Sequence, residues 1–217
     1  MVNYLVIENA TKVIHKKKIL NNINLSLEKG KIYGFVGHNG SGKTMLFRAI
    51  CGFIKLTEGQ IHINGEKVGK DISFPKNTGI ILENPGFIPQ YTGFKNLEYL
   101  ASIHHKITSS DIYNVLDLVG LKESADIKTK KYSLGMKQRL GIAQAIMEDP
   151  DLLIFDEPTN ALDRSGCKMF QNLMFQLKER GKTILIASHN DQEILHLSDE
   201  IYEMENGALS KQSSMVH

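Results

Sequence analysis

The sequence has no tryptophan, two cysteines and five prolines among its 217 residues. Cys51 and Cys167 have no metal-ligand spacing and offer no disulfide framework, which favours a reducing, cytosolic environment. No stretch approaches the roughly 18 consecutive apolar residues that a membrane-spanning helix needs. The N-terminus also lacks the basic segment followed by an apolar segment that marks a secretory signal. These absences predict that any membrane role depends on partner chains.

A marked excess of charge of one sign is lacking as well. Lysine and arginine number 26 against 24 acidic residues, a formal net charge of +2. That balance is too mild to favour nucleic acid as the main partner, so we expect no nucleic acid to bind. The dense basic run from His15 to Lys18 is interpreted as a solvated turn.

Apolar runs and periodicity predict an α/β fold. Ile32–Val36 and Leu152–Phe155 are continuous apolar runs, typical of parallel strands that are buried on both faces. The segment from about 85 to 147 instead shows apolar residues at helical spacing. The first part of the chain is mostly extended, and Asn64-Gly65 and Asn206-Gly207 are strong hairpin signals. We therefore predict a core of alternating strands and helices with a helical insertion.

A glycine-rich phosphate loop follows the first of these apolar runs. The sequence matches the pattern G-x-x-x-x-G-K-[ST], and the residues of the match are Gly37, His38, Asn39, Gly40, Ser41, Gly42, Lys43 and Thr44. Glycines let backbone N–H groups surround phosphate oxygens, and the positive end of the following helix adds to the attraction. Lys43 can reach the β- and γ-phosphates, and the Thr44 hydroxyl is placed to ligate Mg²⁺. The loop therefore predicts ATP and Mg²⁺ as the bound cofactors.

Two acidic residues, Asp156 and Glu157, come directly after the apolar run Leu152–Phe155. In an open α/β sheet, ligands bind at this carboxyl end of the strands. Asp156 is suited to binding Mg²⁺, directly or through water, and Glu157 is suited to act as the general base for an attacking water. Such a pair alone would more often be solvated, but together with a phosphate loop it predicts an ATP-hydrolysing site.

Three further segments carry a resemblance to a known family. Tyr132–Arg139, with the sequence YSLGMKQR, resembles a variant of the ABC signature. Asn160–Asp163 is similar to the D-loop of that family, and His189 falls at the position of its switch histidine. With the phosphate loop and the acid pair, these motifs follow the family order, and the likeness extends from about Leu5 to Leu209. The chain thus resembles the nucleotide-binding subunit of an ABC transporter.

The resemblance implies an architecture. The fold would be a P-loop NTPase core with a mainly parallel sheet, an N-terminal antiparallel β subdomain and an inserted helical subdomain. A single ABC ATPase domain would occupy residues 1–217. Its core would comprise about 1–84 and 148–217, and the helical subdomain about 85–147.

The resemblance also implies a mechanism and partners. In the family, two such domains enclose two ATP molecules head to tail, so that Ser133 and Gly135 of one subunit would touch the γ-phosphate bound by the other. Lys43, Glu157 and His189 would be the catalytic residues, with the histidine hydrogen-bonded to the γ-phosphate. The implied partners are a second ATP-binding subunit, with a homodimer expected on ATP binding, and integral-membrane permease subunits. The chain would be cytoplasmic and held at the inner face of the cell membrane by those subunits.

Two positions depart from the family pattern. The aromatic residue that usually stacks on adenine is absent at Ile14, and His15 is the remaining candidate, so we expect weak selection between ATP and GTP. Glu83 stands where most members have glutamine, and a carboxylate there can ligate Mg²⁺, directly or through water. The segments Glu83–Phe87 and Leu134–Met136 resemble the branch of bacteriocin, lantibiotic and bacitracin exporters.

Three functions are compatible with the motifs. The first is the ATPase subunit of a membrane exporter, in which Phe87–Tyr99 would line the groove for a cytoplasmic helix of the membrane subunit. The second is a soluble ABC ATPase that acts on a ribosome, on DNA or in cofactor assembly, although the sequence lacks the second cassette or long coiled-coil insertion common in that class. The third, a nucleotide-binding structural module without turnover, conflicts with Glu157 and His189. The exporter subunit is therefore the predicted function.

Overall fold

Residues 3–83 and 85–212 are described by a computed structural model of the chain, except for the side chain of Asp191. Asn84, which belongs to the segment that resembles the exporter branch, lies outside the described residues. The strands are β1 (Asn3–Ile14), β2 (Lys17–Glu28), β3 (Ile32–Val36), β4 (Glu58–Ile63), β5 (Glu66–Lys67), β6 (Thr78–Ile81), β7 (Leu152–Asp156), β8 (Thr183–Ala187), β9 (Glu200–Glu205) and β10 (Ala208–Lys211). The helices are α1 (Lys43–Ile50), α2 (Gly93–His104), α3 (Ser109–Leu118), α4 (Leu134–Ile146), α5 (Arg164–Glu179) and α6 (Asp191–Leu197), with short 3₁₀ helices at Lys122–Ser124 and Thr129–Lys131.

The central layer is a six-stranded sheet with the strand order β10-β9-β3-β8-β7-β6. The strands from β9 to β6 run parallel to one another, and β10 pairs antiparallel with β9 at one edge. The N-terminal part of the chain forms a second sheet, which is antiparallel and has the order β2-β1-β4-β5. The predicted fold class, a mainly parallel core with an N-terminal antiparallel sheet and inserted helices, is confirmed.

Successive residues of the central strands face opposite layers, so each strand is buried on both sides. On β3, Ile32 and Val36 pack among the helices α2 to α6, whereas Tyr33 and Phe35 pack against α1 and the antiparallel sheet. The other central strands divide in the same way. Two hydrophobic cores therefore cover the two faces of the sheet, which explains why its strands appear as unbroken apolar runs in the sequence.

Two-residue turns close three hairpins, and both residues of each turn have positive φ. His15 and Lys16 (46° and 65°) join β1 to β2, Asn64-Gly65 (50° and 81°) joins β4 to β5, and Asn206-Gly207 (48° and 80°) joins β9 to β10. These are type I′ turns, whose twist matches that of the flanking strands. The run from His15 to Lys18 is exposed, so its interpretation as a solvated turn is confirmed.

The loop between β6 and α2 is held by hydrogen bonds from buried side chains. Asn96, buried on α2, accepts from the Ile88 N–H at 2.8 Å and donates to the carbonyls of Ile88 and Thr92 at 3.2 and 2.9 Å. The Thr129 hydroxyl donates to the same Ile88 carbonyl at 2.9 Å. The loop before α2 is thereby tied to the segment that leads into α4. None of the helices in the described ranges is long and apolar enough to cross a membrane.

Candidate active site

The phosphate loop leaves the end of β3 and leads directly into α1. Gly37 and Gly42 have φ angles of 145° and 117°, backbone conformations that residues with a side chain rarely adopt. Space is short as well, because a Cβ atom at Gly37 would lie 2.3 Å from the carbonyl oxygen of Met204 on β9. These glycines are therefore required both by the conformation of the loop and by its close contacts.

Two distant segments brace the loop. The Ser41 carbonyl accepts from the N–H of Gly207 at 2.9 Å, and the Gly207 carbonyl accepts from the N–H of Asn21 on β2 at 2.8 Å. A Cβ atom at Gly42 would lie 2.9 Å from the carbonyl oxygen of Ile19, also on β2. The C-terminal hairpin and the antiparallel sheet together hold the phosphate loop in shape.

The charged and hydroxyl groups at the start of α1 are buried and bonded. Lys43 is 6% exposed, and its Nζ donates to the Gly37 carbonyl at 2.5 Å. Thr44 Oγ1 donates to Asp156 Oδ2 at 2.5 Å, which links the start of α1 to the end of β7. The sequence singles out Lys43, Thr44 and Asp156 separately, and the structure brings them to the same end of the parallel sheet.

Two buried oxygen atoms of this cluster, Ser41 Oγ and Asp156 Oδ1, have no hydrogen-bond partner among the described residues. Buried polar atoms are nearly always paired, so both are available to a ligand. Burial raises the pKa of the Asp156 carboxyl; the Thr44 hydroxyl opposes this rise, and the nearby charges of Glu157 and Glu83 add to it. A bound cation would offset that cost, and the hydroxyl and carboxylate oxygens are ligands that Mg²⁺ prefers.

Protein side chains alone do not build a metal centre here. Within residues 3–83 and 85–212, no group of three or more His, Cys, Asp or Glu side chains is arranged to hold a metal ion. Mg²⁺ at nucleotide sites commonly keeps several waters and binds one or two protein oxygens together with phosphate oxygens. Thr44 and Asp156 supply that number of protein oxygens, so the residues present fit a Mg²⁺ ion that a nucleotide completes.

Glu157 and His189 face each other beyond the ends of β7 and β8. His189 Nδ1 lies 2.8 Å from Glu157 Oε2. Glu157 has a φ of 51°, in the left-handed region that residues other than glycine seldom occupy, and its N–H donates to the Ala187 carbonyl at 2.8 Å. That bond anchors the residue to the neighbouring strand. The fold therefore brings together two residues that are distant in sequence, and they form a hydrogen-bonded carboxylate–imidazole pair.

Glu83 is paired with a cation in the structure. Its side chain is 62% exposed, and its carboxylate forms an ion pair with Arg48 in the last turn of α1. Glu83 also has a positive φ of 67°. The sequence offers no specific signal for Arg48 beyond a basic residue near a helix C-terminus, where such residues are common. The role of Glu83 as a metal ligand stays a prediction.

His15 occupies the exposed turn between β1 and β2, and the neighbouring Ile14 is 37% exposed. No hydrogen bond within the described ranges ties His15 to the phosphate loop. The stacking of His15 on adenine stays a prediction.

The signature segment lies apart from the phosphate loop in the described part of the chain. Ser133 is the N-cap of α4, and its Oγ accepts from the Met136 N–H at 3.1 Å. A Cβ atom at Gly135 would lie 3.0 Å from the carbonyl oxygen of Ala161, so the start of α4 contacts the D-loop segment. A cavity of about 470 Å³ opens beside them, and no phosphate-loop residue lines it.

Comparisons with known proteins bear directly on this arrangement. Residues 20–160 match the sequence profile of the family described as ABC transporter. An ABC transporter ATP-binding protein of Bacillus subtilis (strain 168), YybJ, is 48% identical over 209 residues, which are 96% of each chain. The chain belongs to the ABC transporter family.

Two further comparisons place it within the family. The bacitracin transport ATP-binding protein BcrA of Bacillus licheniformis is 42% identical over 209 residues, which are 95% of this chain and 68% of BcrA. The dimeric post-hydrolysis structure of the ATP-binding cassette MJ0796, bound to ADP and Pi, has a TM-score of 0.85 over 97% of this chain and 100% of that one. The two chains are 22% identical, and this likeness shows that they share a fold. The chain is an ATP-binding and ATP-hydrolysing subunit of an ABC transporter, and the predicted resemblance to bacitracin-type relatives is confirmed.

Proposed function

We propose that the chain powers export through separate membrane subunits and works as a dimer with a second ATP-binding subunit. It would lie in the cytoplasm, at the inner face of the cell membrane, held there by those subunits. A relative that is a bacitracin transport protein supports a peptide antibiotic as the class of substrate. The observation that carries the proposal is the pairing of Glu157 with His189 beside the buried contact between Thr44 and Asp156.

Nucleotide binding is assigned to the phosphate loop. Its backbone N–H groups and the Lys43 ammonium bind oxygens of the β- and γ-phosphates, and the N-terminus of α1 adds its dipole. Thr44 and Asp156 would hold Mg²⁺, which would supply positive charge to offset the negative charge of the phosphates. The unpartnered oxygens of Ser41 and Asp156 support these assignments, because both are buried and available.

Glu157 is the general base of the proposed reaction. Its carboxylate takes a proton from a water molecule whose oxygen forms a bond to the γ-phosphorus, while the bond from that phosphorus to the bridging oxygen breaks and the electron pair leaves with ADP. His189 is bonded to Glu157 through Nδ1, so its Nε2 is the nitrogen left for the γ-phosphate. Because carboxylate and phosphate oxygens are both acceptors, His189 would serve both contacts only with a proton on each ring nitrogen. The pair would thus position both the base and the group that is attacked.

The second subunit supplies contacts that one chain lacks. In the proposed dimer, the Ser133 hydroxyl, the Gly135 N–H and the N-terminus of α4 approach the γ-phosphate held by the phosphate loop of the other subunit. No phosphate-loop residue lines the cavity beside Ser133 and Gly135, which supports this head-to-tail arrangement. The helices between β6 and β7 would form the helical subdomain that carries these groups.

An exposed apolar surface supports docking of a permease subunit. Phe53 and Phe74 contact each other with ring centroids 5.9 Å apart, although each is more than half exposed. Tyr91 and Tyr99 form a second exposed pair, with centroids 6.4 Å apart, within the Phe87–Tyr99 segment. Exposed aromatic side chains are typical of interaction sites. We assign the two exposed pairs to contacts with the permease subunit, and the Phe87–Tyr99 segment to contact with its cytoplasmic helix.

The dimeric proposal is tested by the concentration dependence of hydrolysis. The purified chain is assayed with MgATP over a wide range of protein concentrations, and its mass in solution is measured with and without ATP. We expect the specific activity to rise to a plateau as the dimer forms, because each site needs Ser133 from the other chain. A specific activity that does not depend on concentration, from a chain that stays monomeric with ATP, contradicts the proposal.

A further inference from the structure

A second contact joins the two loops that carry Glu157 and His189. Thr159, which is 8% exposed and lies just after Glu157 and Pro158, donates from Oγ1 to Glu193 Oε2 at 2.8 Å. Glu193 lies on α6, one helical turn beyond His189. The segment after β7 and the segment that runs from His189 into α6 are therefore joined by two side-chain contacts. One links Glu157 with His189, and the other links Thr159 with Glu193.

The burial of part of the Glu193 side chain lowers the folding stability of the chain. Its Oε1 is buried and has no hydrogen-bond partner among the described residues. Burial raises the pKa of its carboxyl; the Thr159 hydroxyl opposes the rise, the charge of Glu157 adds to it, and His189 opposes it. A partly buried carboxyl with one oxygen left without a partner in the described part of the chain contributes less stability than an apolar side chain of similar size would. Its presence points to a role in function rather than in stability.

The helix that carries Glu193 is firmly seated on the central sheet. Ile194 is fully buried and Leu197 is 2% exposed. The helix lies so close to β3 that a Cβ atom at Gly34 would be 2.2 Å from Ile194 Cγ2. Because β3 continues into the phosphate loop, the position of Glu193 is fixed relative to the site of the nucleotide.

The segment that follows Glu157 borders open space on the side that faces α6. A cavity of about 370 Å³ opens between α6 and that segment, and Thr159, Asn160, His189 and Glu193 are among the residues that line it. The Glu157 N–H bond to the Ala187 carbonyl and the bond from Gln138 Nε2 to the Pro158 carbonyl, at 2.8 Å each, hold this segment to β8 and α4. The Thr159–Glu193 hydrogen bond lies beside the open space and holds the segment to α6.

We propose that Glu193 is a positioning residue for ATP hydrolysis. By accepting from the Thr159 hydroxyl, it holds the segment after Glu157 against α6, so that Glu157 and His189 stay within hydrogen-bonding distance during turnover. Glu193 itself contacts no nucleotide and transfers no proton in this role. The inference rests on the proposed roles of Glu157 and His189.

Conservative and disruptive variants separate this role from simple stability. Thr159→Val removes the hydroxyl at nearly constant shape, Glu193→Leu removes the carboxylate, and Glu193→Gln keeps an oxygen that can accept from Thr159. We expect the first two to lower kcat about tenfold, as the loss of one hydrogen bond predicts, with MgATP affinity within about twofold of wild type. Glu193→Gln should restore kcat to within about threefold of wild type, because its amide oxygen replaces the acceptor.

A double variant and a stability control complete the test. Thr159→Val combined with Glu193→Leu should be no slower than the slower single variant, because both changes remove one shared contact. Ile63→Ala removes a buried side chain from β4 in the antiparallel sheet, away from α6 and from that contact, so its kcat should stay near the wild-type value at temperatures well below unfolding. Multiplied losses in the double variant, an equal loss in Ile63→Ala, or a Glu193→Gln variant as slow as Glu193→Leu each overturn the proposal.

The proposed base is tested separately with Glu157→Gln. If that variant hydrolyses ATP normally, the assignment of the base is wrong, whatever the Thr159 and Glu193 variants do. If it is inactive while Glu193→Leu and Thr159→Val are normal, the base stands and the positioning role of Glu193 is wrong.

Discussion

The phosphate-loop end of the site and the signature end differ in how their polar groups are bonded. At the phosphate loop, Lys43 donates to a loop carbonyl and Thr44 donates to Asp156, so the functional groups are held in place within the chain. At the signature end, Ser133 Oγ accepts from the start of its own helix, and Leu134 beside it is 62% exposed. The groups at the phosphate loop are held by contacts across the fold, whereas Ser133 is bonded only to the start of its own helix among the described residues.

The aspartates at the two ends show the same contrast in charge. Burial raises the pKa of Asp156. The N–H of Gly166, together with the Ser165 hydroxyl and the Arg139 guanidinium, lowers the pKa of Asp163. A carboxyl with a raised pKa gains from an added cation, whereas one with a lowered pKa is already stabilised by its neighbours. The contrast implies that a bound cation would stabilise the phosphate-loop end more than the signature end.

The largest expected effect comes from the base at the phosphate-loop end. Glu157→Gln should keep its MgATP affinity, because no phosphate contact is lost, while kcat falls by about 10²- to 10⁴-fold. Steady-state ATPase assays and equilibrium binding measure the two quantities. Glu205→Gln changes an exposed glutamate on β9 and is the matched control. Turnover of Glu157→Gln close to that of the control would show that the base lies elsewhere.

Ser133→Ala tests the signature end. It would remove the proposed charge-assisted contact to the γ-phosphate of the other subunit, so kcat should fall by about 10- to 150-fold. MgATP affinity of dilute single chains should not change, since their own phosphate loop is intact. Ser133→Asp keeps a good N-cap but brings negative charge to the phosphate, so it should be at least as slow as Ser133→Ala. Recovery of activity in Ser133→Asp would assign the loss to the helix cap instead.

Glu83 is proposed to couple the nucleotide site to the permease subunit, so the effect of changing it should appear mainly in transport. Glu83→Ala should slow transport by about 10- to 150-fold at the step it controls, more than it slows ATP hydrolysis. Glu83→Gln should retain much of the ATPase activity, because the amide oxygen can still bind Arg48 or a metal ion. Arg48→Ala should resemble Glu83→Ala if their ion pair carries the coupling. Both activities are measured in one reconstituted complex, and normal transport by Glu83→Ala excludes the coupling role.

The smallest effect concerns the two aspartates. The lowered folded-state pKa of Asp163 means that its carboxylate stabilises the fold above the unfolded-state pKa of about 3.9, and that this contribution is lost as the pH falls through the folded-state value. Asp163→Asn keeps the cap of α5, so its Tm should be slightly lower at neutral pH and should converge with wild type in acid.

The raised pKa of Asp156 gives its contribution to folding stability the opposite pH dependence. Its stabilising form is the neutral one, which is lost as the pH rises through the folded-state pKa. Asp156→Asn should therefore raise Tm at neutral pH in the absence of nucleotide. Thermal melts of wild type and both variants from about pH 3 to 8 measure these differences in Tm. If both variants change Tm in the same direction at neutral pH, the electrostatic contrast between the two ends is wrong.

Much of the fold could be predicted because its signals are local in sequence. Asn64-Gly65 and Asn206-Gly207 are sufficient to specify their turns. Thr108 begins α3 with a reciprocal capping box, as a threonine before a helical stripe suggests. The phosphate loop is one contiguous motif, and the apolar runs of the buried strands are set by the two cores that cover the sheet.

The remaining contacts of the site depend on the order of strands in the sheet, which periodicity does not reveal. The pairs Arg48–Glu83 and Thr159–Glu193 join residues that are distant in sequence and look like ordinary surface residues there. The register of Glu157 against His189 likewise exists only because β7 and β8 are neighbours. The helix α6 has seven residues, too few to show a helical period.

The hydrogen bond from Gly207 to Ser41 connects the phosphate loop to a late-synthesised part of the chain. On a translating ribosome, the loop would emerge on the order of ten seconds before the turn that braces it. Until then, the Ser41 carbonyl lacks the Gly207 N–H and Gly37 lacks the close approach of Met204. We therefore expect nascent chains to bind nucleotide weakly until the hairpin of β9 and β10 docks onto β3.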